Sequence, residues 1–136
     1  MPSSLAKHRR TAFHRQNGRC HYCGFPIWLE DPAELSIPFG LTTRESARFQ
    51  CTAEHLVARQ NGGGDSVDNI VAACRFCNAT RHRLSSPPDP AAYRRRVLCR
   101  LDAGRWHPKS LRQRLAELTP RSMGANRRCR SSAPAG

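Results

Sequence analysis

The chain has 136 residues, the size of one domain, and its 38% hydrophobic content leaves a small core in need of a further staple. Lys and Arg number 23 against 10 Asp and Glu, and the net charge of +13 favours a polyanionic partner, most simply nucleic acid. No run of about 18 apolar residues occurs, which excludes a transmembrane helix, and the opening MPSSLAKHRR lacks the apolar stretch of a secretory signal. A cytoplasmic, reducing setting and no membrane partner are therefore expected. There, the seven cysteines read as metal ligands or free thiols rather than as a disulfide frame.

In chain order, residues 3–16 read as a helix, capped by Ser3 or Ser4 and closed by Gly18. Cys20-His21-Tyr22-Cys23 forms a compact turn. Phe25 to Leu29 suits a short strand that Pro26 keeps irregular or at an edge. Residues 30–47, with Pro32, Pro38 and Gly40 and no clear periodicity, read as an inserted loop. Arg48 to Leu56 can form a strand, and Arg59 to Asp68, with three successive glycines, a loop. Ile70 to Ala73 suits a short apolar strand and Cys74 to Leu84 a helix ending before Pro87-Pro88. Two more helices are expected over 90–103 and 109–118. Residues 120–136, rich in Ser, Arg, Gly, Ala and Pro, read as a disordered basic tail.

Charge is segregated along this order. Residues 1–29 carry five bases and no acid, residues 30–89 a net −2, and residues 90–136 a net +10. Basic flanks around a nearly neutral middle favour phosphate contacts that do not read sequence.

Cys20-x-x-Cys23 and Cys74-x-x-Cys77 fit a structural zinc site, since each short turn presents two sulfurs at about 2.3 Å from one ion and four thiolates leave no open position. The 50 residues between the pairs require a small domain to fold between its halves. Cys51 and Cys99 fall within expected elements and read as small apolar residues, and Cys129 as an exposed thiol.

A second constellation lies between the pairs. Glu54 and His55 end a strand beside the glycine loop, and Asn78 and His82 sit four apart on a helix and share a face. Glu54, Asn78 and His82 offer O, O and N donors to a divalent ion, Mg²⁺ or Mn²⁺ or a later transition metal. His55 is left as a base. Arg81, and less directly Arg59, could clamp a phosphate.

With Cys20–Cys23, the stretch CTAEHLVARQNGGGDSVDNIVAACRFCNATRH resembles the HNH endonucleases, members of the His-Me finger (ββα-metal) nucleases, over about residues 10–84. The resemblance implies an α+β fold: a small ββα-metal core of two antiparallel strands, a loop and a helix. The four-cysteine zinc site staples it, and an N-terminal helix and C-terminal helices flank it. By resemblance Glu54 is the acidic metal ligand, His55 the general base, and Asn69 the residue that braces the loop and orients the base. Asn78 is the last metal ligand, His82 the second His of a His-x-x-x-His helix, and Arg81 the basic residue near the phosphate. Glu54 stands where Asp is commoner, Ala58 where Pro is frequent, and the insert at 30–47 is long. The expected organisation is a nuclease domain over 1–86, a basic helical extension over 87–119 and the tail. The expected function is metal-dependent hydrolysis of DNA, most simply double-stranded, in a bacterial or phage setting. The alternative is a non-catalytic zinc module that binds nucleic acid.

Overall fold

The structure is a computed structural model that describes residues 3–115. Helix α1 spans Ser4–Arg15, and the Ser3 hydroxyl accepts the Ala6 amide at 3.1 Å, as the expected cap requires. Asn17 and Gly18 then take left-handed conformations that end the helix. The chain turns through the first cysteine pair into an extended segment joined to its neighbours by single bridges, Arg19 with Pro26 and Trp28 with Gln50. This is the irregular edge that Pro26 predicts.

Residues 30–47 are not a loop. They hold two short helices, α2 over Ala33–Phe39 and α3 over Thr43–Ala47. Glu34 folds back to accept the amides of Leu29, Glu30 and Asp31. Thr42 and Glu45 form a reciprocal capping box, each side chain accepting the other's backbone N–H. Helices of seven and five residues are too short to show an apolar period, and only α3 carries a side-chain cap that marks its start.

Strands β1 (Cys51–His55) and β2 (Ile70–Cys74) pair antiparallel, with Cys51 opposite Cys74, Glu54 opposite Val71 and His55 opposite Ile70. Helix α1 packs across this hairpin. The outer edge of β2 is closed by side chains and a turn rather than by a third strand. The Gln16 amide both accepts from the Ala72 N–H and donates to its carbonyl, the His21 amide donates to the same carbonyl, and Arg15 donates to Ile70. The edge is thereby kept from pairing elsewhere.

Helix α4 follows directly over Arg75–His82, then α5 over Pro90–Asp102, capped by Asp89, and α6 over Lys109–Leu115. The expected end of the last helix and the tail lie outside the described residues. Tyr93 and Val97 of α5, Trp106, and Leu111 and Leu115 of α6 are buried in one cluster with Cys20, Phe49, Ala72 and Cys77. The C-terminal helices thus share the core of the first 86 residues rather than standing apart as an extension. His107 is enclosed by the rings of Phe25, Phe49 and Phe76 and accepts a hydrogen bond from Arg48 Nε at Nδ1, 2.9 Å away. Burial, reinforced by Arg48, pushes its pKa down to about 3, so it packs as a neutral ring. No helix among the described residues is long and apolar enough to cross a membrane.

Candidate active site and metal centre

The two cysteine pairs meet. Cys20 and Cys23 come from the turn after α1, Cys74 from the end of β2 and Cys77 from the first turn of α4. All four are buried, with their sulfurs within 4.8 Å of one another. Tetrahedral Zn–S bonds of about 2.3 Å would set sulfurs about 3.8 Å apart, so the cluster fits such an ion. Donors already converge on the sulfurs. Cys20 Sγ accepts the amides of Tyr22 and Cys74 at 3.4 and 3.2 Å, Cys74 Sγ that of Cys77 at 3.3 Å, and Cys77 Sγ the Trp106 indole N–H at 3.3 Å. Burial pushes the Cys23 and Cys77 thiols up. At Cys20 it is overcome by donation from the other three thiols, and that group falls well below its ordinary value. Cys51 is buried but outside the cluster, Cys99 is half-buried on α5, and Cys129 lies outside the described residues.

Alternation along β1 sends Glu54 and His55 to opposite faces. Glu54 points inward and is only 2% exposed. Its Oε1 lies 2.9 Å from His82 Nε2, and its Oε2 accepts from the Tyr22 hydroxyl at 3.2 Å and Arg81 Nη1 at 3.4 Å. Burial and the neighbouring carboxylate push the Tyr22 pKa far up, which keeps it a donor. Asn78 is tied to β1 through its amide nitrogen, which donates to Thr52 Oγ1 at 2.9 Å. Its carbonyl oxygen accepts no hydrogen bond among the described residues and is the atom open to a ligand.

Arg81 departs from expectation. It is buried rather than poised at a phosphate, and its guanidinium is committed to Glu54 and, at 2.8 and 3.2 Å, to the Pro88 carbonyl. The spacing carries the signal. Arg81 follows Cys77 by four residues on α4 and so shares its buried face. Its charge balances the buried Glu54 carboxylate.

On the other face, His55 Nε2 lies 2.7 Å from Asp65 Oδ1 and 3.3 Å from Arg59 Nε, and the tautomer that donates Nε2–H to the carboxylate would leave Nδ1 as the basic nitrogen. Arg59 grips both Asp65 oxygens at 3.0 and 3.1 Å. It therefore holds the partner of His55 rather than standing free as a clamp. The hydrogen bond from His55, with Arg59 adding, lowers the Asp65 carboxyl below its usual range. Asp65 and Tyr22 escape a sequence reading, because one is a single acid in an aperiodic loop and the other sits inside a turn defined by its cysteines.

Asn69 braces that loop. Its oxygen accepts the Val57 amide at 2.8 Å, and its amide nitrogen donates to the carbonyls of Val57 at 3.0 Å and Gly64 at 2.8 Å. Gly63 lies beneath it, where a Cβ would overlap the Val57 carbonyl oxygen and stand 2.5 Å from its carbon. Gly63→Ala is therefore expected to lose about 1–3 kcal/mol of stability and to displace Asp65 from His55. Thermal melts and zinc content read together check this, since the cysteine site should keep its metal.

No curated protein and no solved structure matches the chain. Residues 40–84 match the family model described as HNH endonuclease. The matched stretch holds Glu54, His55, Asn69, Cys74, Cys77, Asn78 and His82, and leaves out Cys20, Tyr22 and Cys23. The segment that forms the β1–β2 hairpin and α4 is thus the part of the chain that is similar to the HNH endonucleases.

Proposed function

We propose that the protein is a metal-dependent endonuclease that hydrolyses phosphodiester bonds of double-stranded DNA, its fold stapled by one zinc ion on Cys20, Cys23, Cys74 and Cys77. The observation that carries this reading is the close approach of Glu54 Oε1 to His82 Nε2 at 2.9 Å, with His55 turned to the opposite side of β1. Neighbouring ligands on one octahedral ion with bonds of about 2.0–2.1 Å lie about 3 Å apart, so the pair fits a shared Mg²⁺ or Mn²⁺. Glu54 Oε1, His82 Nε2 and Asn78 Oδ1 would hold it, and when bound it would neutralise charge on the scissile phosphate and the leaving oxygen.

The remaining chemistry belongs to the chain. His55 Nδ1 takes the proton of the attacking water, while Asp65, ionised and steadied by Arg59, holds Nε2–H and stabilises the imidazolium that forms. Asn69 keeps the loop that carries Asp65 in register with β1. Arg81 acts at one remove, positioning Glu54. Cleavage leaves a 5′-phosphate and a 3′-hydroxyl.

Much of the N-terminal charge is already spent within the fold. Arg9, Arg15 and Arg19 donate to backbone carbonyls and Arg10 pairs with Glu30. On α5, Arg95, Arg96 and Arg100 are exposed and have no hydrogen-bond partner among the described residues, which suits them to phosphate. Supercoiled plasmid is expected to be nicked or linearised when Mg²⁺ or Mn²⁺ is added, and to stay intact without it. Tight plasmid binding with no cleavage under any divalent metal would favour the non-catalytic zinc module.

A further inference from the structure

A shallow open pocket of about 270 Å³ lies on the flank of α4, lined by Arg44, Ala47, Arg48, Arg75, Phe76 and Ala79. Three guanidinium groups face it and no acid does. None of the three forms an ion pair among the described residues, and the neighbouring Glu45 is taken up by Arg114 and its own capping box. Arg48 is fixed in place, its guanidinium carbon 3.5 Å above the Phe76 ring and its Nε on His107. Arg44 and Arg75 are exposed, and their side chains have no hydrogen-bond partner among the described residues. Arg75 also opens α4, whose first turn has no acid, so its charge opposes the helix dipole. Local stability alone does not account for this cluster.

Helix geometry links the pocket to the candidate active site. Seven residues separate Arg75 from His82, so the two lie about 20° apart around α4 and about 10 Å apart along it. The same face thus runs from the Asn78–His82 end of the helix to the pocket.

We propose that the Arg44–Arg48–Arg75 pocket is a second phosphate subsite that grips the backbone of the DNA being cut, at a phosphate that flanks the scissile one. The inference rests on the nuclease reading, since it takes the substrate strand to lie along α4. It assigns the pocket to positioning and affinity and not to chemistry. Arg48 is part of the fold, so Arg44 and Arg75 are the residues to vary.

The test is affinity for a short mixed-sequence DNA duplex, without added divalent metal, across a salt series. Arg44→Ala/Arg75→Ala should lower the log–log salt slope by about 1.8, two contacts at about 0.9 each, so that wild type loses about twelvefold more affinity than the variant between about 50 and 200 mM salt. The variant's zinc content and Tm should stay at wild-type values, and Arg44→Lys/Arg75→Lys should restore the slope. An unchanged slope in a folded alanine variant would overturn the subsite and leave the nuclease reading untouched. Wild-type protein that binds the duplex but never cuts plasmid would overturn the nuclease reading, with the slope still deciding the contact. Wild-type protein that binds no DNA would overturn both.

Discussion

Replacing Cys74 by serine is expected to unfold the protein. Cys74 ends β2, caps α4 with its sulfur and packs fully buried against three other thiols, so one substitution reaches a strand, a helix and the metal site together. Structural zinc contributes on the order of 10 kcal/mol in small zinc domains, comparable to the whole stability of an ordinary domain. The measurements are metal content and a circular-dichroism melt. Wild type should carry about one tightly held zinc per chain, and Cys74→Ser should carry none and show no cooperative transition. Cys51→Ala supplies the contrast. That thiol is equally buried, and burial pushes its pKa up to about 12, but it stands outside the cluster. Its loss should cost only about 1 kcal/mol and leave the zinc in place. A metal-free wild type that melts cooperatively would remove the zinc from this account.

His55→Ala should lower the cleavage rate by about 10²–10⁴-fold, the usual contribution of a positioned general base. The residue touches Asp65 and Arg59 in the loop and lies on the side of β1 away from Glu54, so zinc content, Tm and DNA affinity should stay near wild type. The sharper comparison is with Glu54→Gln. That change leaves Arg81 buried beside a neutral amide and removes a carboxylate shared by Tyr22, Arg81 and His82, so stability and cleavage should fall together. Plasmid cleavage beside thermal melts separates the two outcomes. A His55→Ala variant that cuts at the wild-type rate would displace it as the base.

How legible the molecule is in its sequence depends on the range of the interaction involved. The cap at Ser3, the hairpin and α4 follow from neighbours a few residues apart, and their bounds agree with expectation within a few residues. The four cysteines are legible because tetrahedral chemistry fixes their pattern in advance. What escapes is set by distance in sequence or by loop conformation. The burial of Arg81 depends on Glu54, 27 residues away, and Asp65 reaches His55 only after the glycine loop folds back under Asn69. Arg48 meets His107 across 59 residues. For the same reason a basic composition after residue 90 suggests an appendage. The apolar residues scattered among those arginines, Tyr93, Val97, Trp106, Leu111 and Leu115, instead enter the common core.

The burial of Tyr93 and Trp106 against the cysteine cluster also bears on the order in which the chain is made. Tyr93 donates to the Cys77 carbonyl from 16 residues downstream, and Trp106 to the Cys77 sulfur from 29 residues downstream. At a synthesis rate of about 5–20 residues per second, all four thiols are translated roughly 1.5–6 s before the indole that covers one of them. Until the indole packs, the Cys77 sulfur lacks its cover. Closure by the C-terminal helices is therefore the step that seals the cluster, and a chain cut short before Trp106 would hold all four cysteines without the indole that covers Cys77.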